Sequence, residues 1–259
     1  MKGLLKTIAV FLIWSLCGFY SNAGSSIQNA SLHDMNGGLI PRDFTEDIIG
    51  DRLALVEGVI QLDYSEDSKN LIKRYMLQGR KDTQKLIERS FYYFSLFDHY
   101  FDKYNVPKEL KYITLLESSL KPRRSSKVGA RGLWQFMPAT ARWMGLSVDE
   151  FQDQRTNPAM STEAAVRYLD RLHTQFDDWN LVLLAYNAGP GSVRRAIRKA
   201  NSREVNDILP YLPKQTRKYL PFYTATVYTL NYYMKYGIIA QPDKPSIINN
   251  LAGIEEHRS

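Results

Sequence analysis

Apolar residues recur at the spacing of an α-helix along most of this chain, and no segment alternates apolar and polar residues over a comparable length. Two such helical segments between Asn70 and Tyr104 are separated at Gly79. The sequence also predicts helices over Pro138 to Met144, Thr162 to Phe176, Asn180 to Tyr186, Val193 to Lys199 and Thr216 to Tyr236. The chain is therefore predicted to be mainly α.

A further helix is predicted to begin near Pro107 and to end at Pro122, because proline fits the first helical turn and restricts the residue before it. Glu117 then lies in the last turn, seven residues after Leu110 and four after Ile113. This spacing places its carboxyl group on the apolar face. Desolvation there raises the pKa of the carboxyl group, as a general acid requires.

The alternative for Glu117 is an ordinary ion pair with Lys121, one helical turn further on, at a solvated surface. Pro122 disturbs the turn that carries Lys121 and weakens this alternative.

The first residues have the pattern of a secretory signal: Lys2 and Lys6 precede the apolar run Ile8 to Leu16, and Ser21-Asn22-Ala23 supplies small residues for cleavage. The apolar run is too short to span a membrane. Cys17, the single cysteine, lies inside this signal, so cleavage after Ala23 leaves no thiol. The rival possibility is that Cys17 becomes a lipidated N-terminus, but Leu16 stands where lipoprotein signals have a small residue.

The formal charge of +7 favours an anionic partner. That partner is nucleic acid, a membrane surface or an acidic polymer outside the cell, and charge alone does not choose among them. The four histidines are scattered without ligand spacing, so no metal site is predicted; they are His33, His99, His173 and His257.

Two further blocks combine polar side chains with glycine turns. In the first, Gly132 to Pro138, Trp134 offers either a face for sugar stacking or a core side chain, and Gln135 offers a donor and an acceptor. In the second, an apolar helix ends in Tyr186-Asn187 before Gly189.

In order and spacing, these blocks resemble the soluble-type lytic transglycosylases, whose domain is similar to goose-type lysozyme. That family has Glu-Ser, then G-L-x-Q-[FIM]-M-P, then A-Y-N-A-G, and this chain has Glu117-Ser118, Gly132 to Pro138 and Ala185 to Gly189. The stretch Gln215 to Tyr219 resembles a later Glu-Thr-Arg-x-Tyr element. The resemblance covers residues 107 to 237 and is strongest to the membrane-bound lytic murein transglycosylase D subgroup.

The resemblance implies a lysozyme-like helical domain and a role for each matching residue. Glu117 is the catalytic acid and then base, and Ser126 orients the N-acetyl group of the substrate. Gln135 and Met137 line the sugar groove, and Tyr186 and Asn187 steady Glu117 and the saccharide. Gln215 replaces the family's usual glutamate, which removes a charge.

The reaction that the resemblance implies is the non-hydrolytic cleavage of the bond between MurNAc and GlcNAc in peptidoglycan, with no metal or cofactor. Hydrolytic glycosidases usually need two carboxylates. The other acids between Glu117 and Gly191 lie in polar stretches rather than on an apolar stripe; they are Asp149, Glu150, Asp153, Glu163, Asp170, Asp177 and Asp178. A goose-type muramidase and a non-catalytic peptidoglycan-binding protein remain alternatives.

The expected organisation is a signal peptide (1–23), an extended arm (24–66), a helical extension (67–106), a catalytic domain (107–238) and a mobile tail (239–259). The expected location is the periplasm or cell envelope, with an outer-membrane association as one form of it. The partner is peptidoglycan glycan strands.

Overall fold

A computed structural model describes residues 46–242 and 245–247 of the chain. Nearly all of its regular structure is helical, and the α-helices are α1 (Glu46–Ala54), α2 (Glu66–Lys73), α3 (Arg80–Lys103), α4 (Ile113–Ser118), α5 (Pro138–Trp143), α6 (Pro158–Phe176), α7 (Trp179–Ala188), α8 (Pro190–Ala200), α9 (Val205–Ile208), α10 (Lys214–Arg217) and α11 (Tyr219–Tyr232). A π-helical turn (Arg74–Gln78) and short 3-10 helices (Lys108–Tyr112, Gln154–Thr156, Leu209–Tyr211, Tyr233–Tyr236) connect them.

The mainly α prediction is confirmed. Within the described ranges, β-structure is limited to three isolated bridges, which join Ser125 to Arg131, Arg131 to Phe136 and Val148 to Asp153. The break at Gly79 is also confirmed, because it separates the π-helical turn from α3. The long helix predicted from Thr216 to Tyr236 is instead three consecutive helical pieces.

The expectation of an extended arm was wrong for residues 46 to 54, which form α1. Ile49 and Leu53, one turn apart, are buried in a cluster with α2 and with Tyr228 of α11. Arg52 donates through Nη1 to the hydroxyl of Tyr228, with an N–O distance of 3.2 Å. Packing on a distant helix stabilises α1, whose own sequence pattern is weak.

The segment that carries Glu117 also differs from the prediction. It begins as a 3-10 helix, and α4 ends at Ser118, before Pro122. Ser119 and Leu120 have positive φ angles of 53° and 58°, which end the helix. Glu117 still lies in the last turn, as predicted.

The core is built around α7, whose residues from Leu181 to Ala185 are all buried. This helix contacts α6, α8 and α11. Along α11, every residue from Tyr219 to Thr229 is buried. Two buried helices therefore meet behind the segment that carries Glu117, since α11 also contacts α4.

The predicted signal peptide, Cys17 and most of the predicted tail lie outside the described residues. Over the part of the chain that is described, no helix combines the length and the apolar character needed to cross a membrane.

Candidate active site

Glu117 is a buried carboxyl group with one hydrogen-bond donor beside it. Its side chain is 7% exposed. The hydroxyl of Tyr219 donates to its Oε1 atom over 2.8 Å. Burial raises the pKa of Glu117 to about 7, although the hydrogen bond from Tyr219 works in the opposite direction. The carboxyl group therefore exists in both protonation states near neutral pH.

The position of Glu117 follows from the apolar face predicted from the sequence. Leu110 and Ile113 are fully buried in the main core, and Glu117 shares their side of the segment. The alternative of a surface ion pair is not what the structure has, because Lys121 is exposed and Glu117 bonds to Tyr219 instead.

The loop from Ser126 to Met137 begins with hydrogen bonds between its own residues. Ser126 and Ala130 form a tight turn, in which the amide of Ala130 donates to Oγ of Ser126 over 2.9 Å. Among the described residues, no acceptor engages the hydroxyl hydrogen of Ser126, which can therefore donate, as its predicted contact with an N-acetyl group requires.

Gly132 is required where this loop meets the 3-10 turn after Asp153. Its φ is +89°, and a Cβ atom there would lie 1.8 Å from the carbonyl oxygen of Arg155. Arg155 donates through Nη1 to the carbonyl oxygens of Gly129 and Phe136, at 2.7 and 3.0 Å. One buried guanidinium thus fixes the loop at Gly129 and at Phe136.

Trp134 is a core side chain, which resolves the two possibilities left open by the sequence. It is 1% exposed, and its ring packs against Phe97 and Phe101. Its Nε1 atom donates to Oγ1 of Thr162 over 3.0 Å. No face of this ring is available to a sugar.

Gln135 lies beside Trp134 and has the left-handed backbone conformation, with φ of 49°. Its Nε2 atom donates to the carbonyl oxygens of Gly132 and Arg124, at 2.7 and 3.0 Å. Its Oε1 atom is buried and has no hydrogen-bond partner among the described residues. Met137, half-buried, follows at the N-terminus of α5.

Tyr186 and Asn187 occupy the end of α7, as predicted. The hydroxyl of Tyr186 donates to the carbonyl oxygen of Trp134 over 2.7 Å, so it steadies the loop rather than bonding directly to Glu117. Burial is the main reason that the pKa of Tyr186 is raised, and the charge of Glu117 contributes to the rise. Tyr186 therefore lies close to Glu117 although the two do not bond. The Oδ1 atom of Asn187 is buried and, within the described structure, unpaired.

Gln215 is half-buried in α10, a helix that contacts α7. The next residue, Thr216, is buried, and its Oγ1 atom has no partner in the ranges described. Unpaired buried polar atoms are costly and are usually satisfied by water or a ligand. Gln135, Asn187 and Thr216 therefore each carry a buried oxygen atom that has no hydrogen-bond partner among the described residues.

Sequence reasoning missed the contact that matters most, since the helical spacing of Thr216 to Tyr236 does not single out Tyr219. It is 1% exposed, yet its hydroxyl bonds to Glu117. The signal was present in the stretch Gln215 to Tyr219, whose final tyrosine matches the family element.

The other acids are engaged elsewhere or exposed. Asp153 accepts from Arg155, which lowers the pKa of Asp153, and Lys103 and Tyr104 do the same for Glu163. Asp178 caps α7 by accepting from the amide of Leu181. The remaining acids in this part of the chain are exposed; they are Asp149, Glu150, Asp170 and Asp177. Across the described residues, no group of three His, Cys, Asp or Glu side chains could hold a metal ion.

Comparison with known proteins finds similarity to the same family that the sequence motifs resemble. The family model for the transglycosylase SLT domain matches residues 95–209. Membrane-bound lytic murein transglycosylase D of Escherichia coli strain K12 is 36% identical over 139 residues, which make up 52% of this chain and 31% of the relative. Peptidoglycan transglycosylase gp16 of Escherichia phage T7 is 38% identical over 96 residues, or 36% of this chain and 7% of the relative.

Among solved structures, the 70 kDa soluble lytic transglycosylase of Escherichia coli has a TM-score of 0.49 and 24% identity, covering 67% of this chain and 32% of that one. The chain spans about a third of the length of the first curated relative that it matches. Three of the four sequence motifs, those around Glu117, Gln135 and Tyr186, fall within the matched range. Residues 95–209 of the chain are thus similar to the transglycosylase SLT domain family.

Proposed function

We propose that this protein is a lytic transglycosylase that cleaves the β-1,4 bond between MurNAc and GlcNAc in peptidoglycan without adding water. Glu117 is its catalytic acid and base. The observation that carries the proposal is a buried carboxyl group with a pKa of about 7, next to a loop and a helix end that match the family motifs. The names of the relatives support the substrate class.

The proposed reaction uses the same carboxyl group twice. Protonated Glu117 donates its proton to the glycosidic oxygen as the bond to the muramoyl C1 breaks, and the substrate's own acetamido group stabilises the resulting cation. Ionised Glu117 then takes a proton from the C6 hydroxyl, whose oxygen bonds to C1 and closes a 1,6-anhydro ring. A pKa near the working pH suits both steps, because neither protonation state is scarce.

Other residues hold this carboxyl group and the substrate. Tyr219 positions Glu117 through its 2.8 Å hydrogen bond. Tyr186 positions the loop by bonding to the carbonyl oxygen of Trp134. Ser126, Gln135, Met137, Asn187 and Gln215 are proposed to contact the saccharide, in keeping with the unpaired oxygens of Gln135 and Asn187.

The location proposed for the protein is the cell envelope, after export directed by residues 1–23. Transglycosylase D of Escherichia coli, one of several similar proteins named as membrane-bound, supports an envelope location. Lipid attachment at Cys17 is the less favoured form of this proposal, because Leu16 precedes the cysteine.

Mass spectrometry of soluble products from purified sacculi tests the function. The protein should release muropeptides that end in 1,6-anhydroMurNAc, and the Glu117→Gln variant should release none while still binding sacculi. Reducing ends would instead identify a muramidase. Binding without any product from either protein would identify a non-catalytic peptidoglycan-binding protein, a role for which the loss of charge at Gln215 leaves room.

A further inference from the structure

A basic pocket lies next to the candidate active site but is distinct from the residues assigned above. Its volume is about 680 Å³. Four cationic and two aromatic side chains line it, and no acidic residue does; the six are Arg89, Tyr92, Tyr93, Lys121, Arg123 and Arg124. Three of them, on α3, precede residue 95, where the family match begins. We call this set the basic pocket.

The cations of the basic pocket are not neutralised by the protein. In the part of the chain that the structure describes, none of the four forms an ion pair with a carboxylate. Lys121 and Arg123 are exposed. The Nε atom of Arg124 is buried without a partner in the same ranges. A concave site with four uncompensated positive charges attracts anions more strongly than a flat surface does.

The basic pocket is joined to the candidate active site by direct hydrogen bonds. Arg89 donates through Nη1 to the carbonyl oxygen of Ser119 over 2.9 Å, two residues after Glu117. The carbonyl oxygen of Arg124 accepts from Nε2 of Gln135 over 3.0 Å. The wall of the pocket therefore continues from the end of α4 to the loop that carries Ser126.

We propose that the basic pocket binds the free carboxylates of the peptide attached to the glycan strand that occupies the active site. The inference rests on the proposed function, which supplies the strand. Each muramoyl sugar carries such a peptide, and a pocket beside the groove can receive it while the sugars lie near Glu117. The pocket volume accommodates several residues of a peptide.

A membrane surface is the competing partner, because phosphate headgroups also attract lysine and arginine. The geometry favours the peptide. Membrane-binding surfaces present cations beside exposed apolar side chains. Here the cations line a concavity whose floor includes Tyr93, which is 7% exposed.

The test compares glycan strands that keep their peptides with the same strands after an amidase has removed them. Binding is measured with the Glu117→Gln protein, so that strands are not cleaved. The pocket variant is Lys121→Gln with Arg123→Gln, and the matched control is Arg198→Gln with Lys199→Gln. The control also removes one lysine and one arginine, from exposed positions on α8.

The pocket variant should bind peptide-bearing strands about tenfold more weakly, the combined effect of losing two ion pairs at exposed side chains. Its affinity for peptide-free strands should be unchanged, as should both affinities of the control. The preference of the Glu117→Gln protein for peptide-bearing strands should also fall as salt is raised, a measurement that does not depend on the pocket substitutions.

Three results would overturn the inference: no preference for peptide-bearing strands, an equal loss on both kinds of strand, or a loss seen only with phosphatidylglycerol vesicles. The first two remove the peptide as the ligand, and the third replaces it with a membrane. If these binding results are as expected but the protein with Glu117 intact releases no product from sacculi, the catalytic proposal fails and the pocket assignment stands.

Discussion

The hydrogen bond from Tyr219 to Glu117 sets the pH range over which the proposed acid can work. Burial raises the pKa of Glu117 to about 7, and the Tyr219 hydroxyl opposes this by stabilising the ionised form. Tyr219→Phe removes that donor and little else, because the ring remains in the core. The pKa of Glu117 should therefore rise further.

The size of the rise follows from the strength of such a bond. A hydrogen bond to a charged group contributes about 1.5–3 kcal/mol, and one pKa unit corresponds to about 1.4 kcal/mol. The expected rise is roughly one to two units. With a rise of one unit, the protonated fraction of Glu117 at pH 8 increases from about one tenth to about one half, or about fivefold.

The assay is the pH dependence of kcat/KM on glycan strands, which reports the free enzyme's acid. The alkaline limb should move upward by one to two pH units in Tyr219→Phe. Tyr223→Phe is the matched control, since its buried hydroxyl donates to the backbone carbonyl of Glu109 over 2.9 Å and not to a carboxylate. An alkaline limb that stays in place in Tyr219→Phe, or moves as far in Tyr223→Phe, would refute the reasoning.

Three other perturbations test the site and its supports. Burial raises the pKa of Glu117 in the folded protein from 4.5 to about 7, so the parent protein loses stability as the pH rises from about 4.5 to about 7. Urea unfolding at pH 8 should show that Glu117→Gln is more stable than the parent by about 3 kcal/mol, and unfolding at pH 4 should show no such gain. Gly132→Ala should destabilise by more than about 3 kcal/mol in thermal unfolding, because its Cβ would meet the carbonyl oxygen of Arg155. Gly129→Ala, which has a similar φ of +88° and no atom within 4 Å of the new Cβ, should cost only about 1–2 kcal/mol; equal losses for the two would contradict the clash. Tyr186→Phe should cost about 1–3 kcal/mol by leaving a loop carbonyl unpaired, and an unchanged melting temperature would count against that bond.

The long helices could be predicted because their signal is local. In α6 the apolar stripe repeats over nineteen residues, and in α3 over twenty-four, so the spacing alone identifies them. Helix α1 has only nine residues, and its stability comes from Ile49 and Leu53 packing beside Tyr228 of α11. A partner so far along the chain leaves no local pattern, which is why that segment was expected to be extended.

In the candidate site, too, the features set by local spacing could be predicted and those set by distant contacts could not. The apolar spacing around Glu117 predicted its burial, because one helical turn contains that information. The partner of the carboxyl group lies 102 residues away, and nothing in the spacing of Tyr219 distinguishes it from its core neighbours. For Trp134, sequence left two environments open, and only the packing of Phe97 and Phe101 against its ring decided between them.

Because α1 and α2 pack on α11, the folded unit extends to the N-terminal side of residue 95, where the match to the family model begins. A protein cut at residue 95 keeps Glu117 and every residue proposed to contact the saccharide, but loses α1, α2 and most of α3. Ala225 and Tyr228 would then face water on the same helix that begins with Tyr219. We expect such a fragment to aggregate. The N-terminal helices α1 and α2 therefore keep water from the apolar side of α11, the helix whose Tyr219 hydrogen-bonds to Glu117.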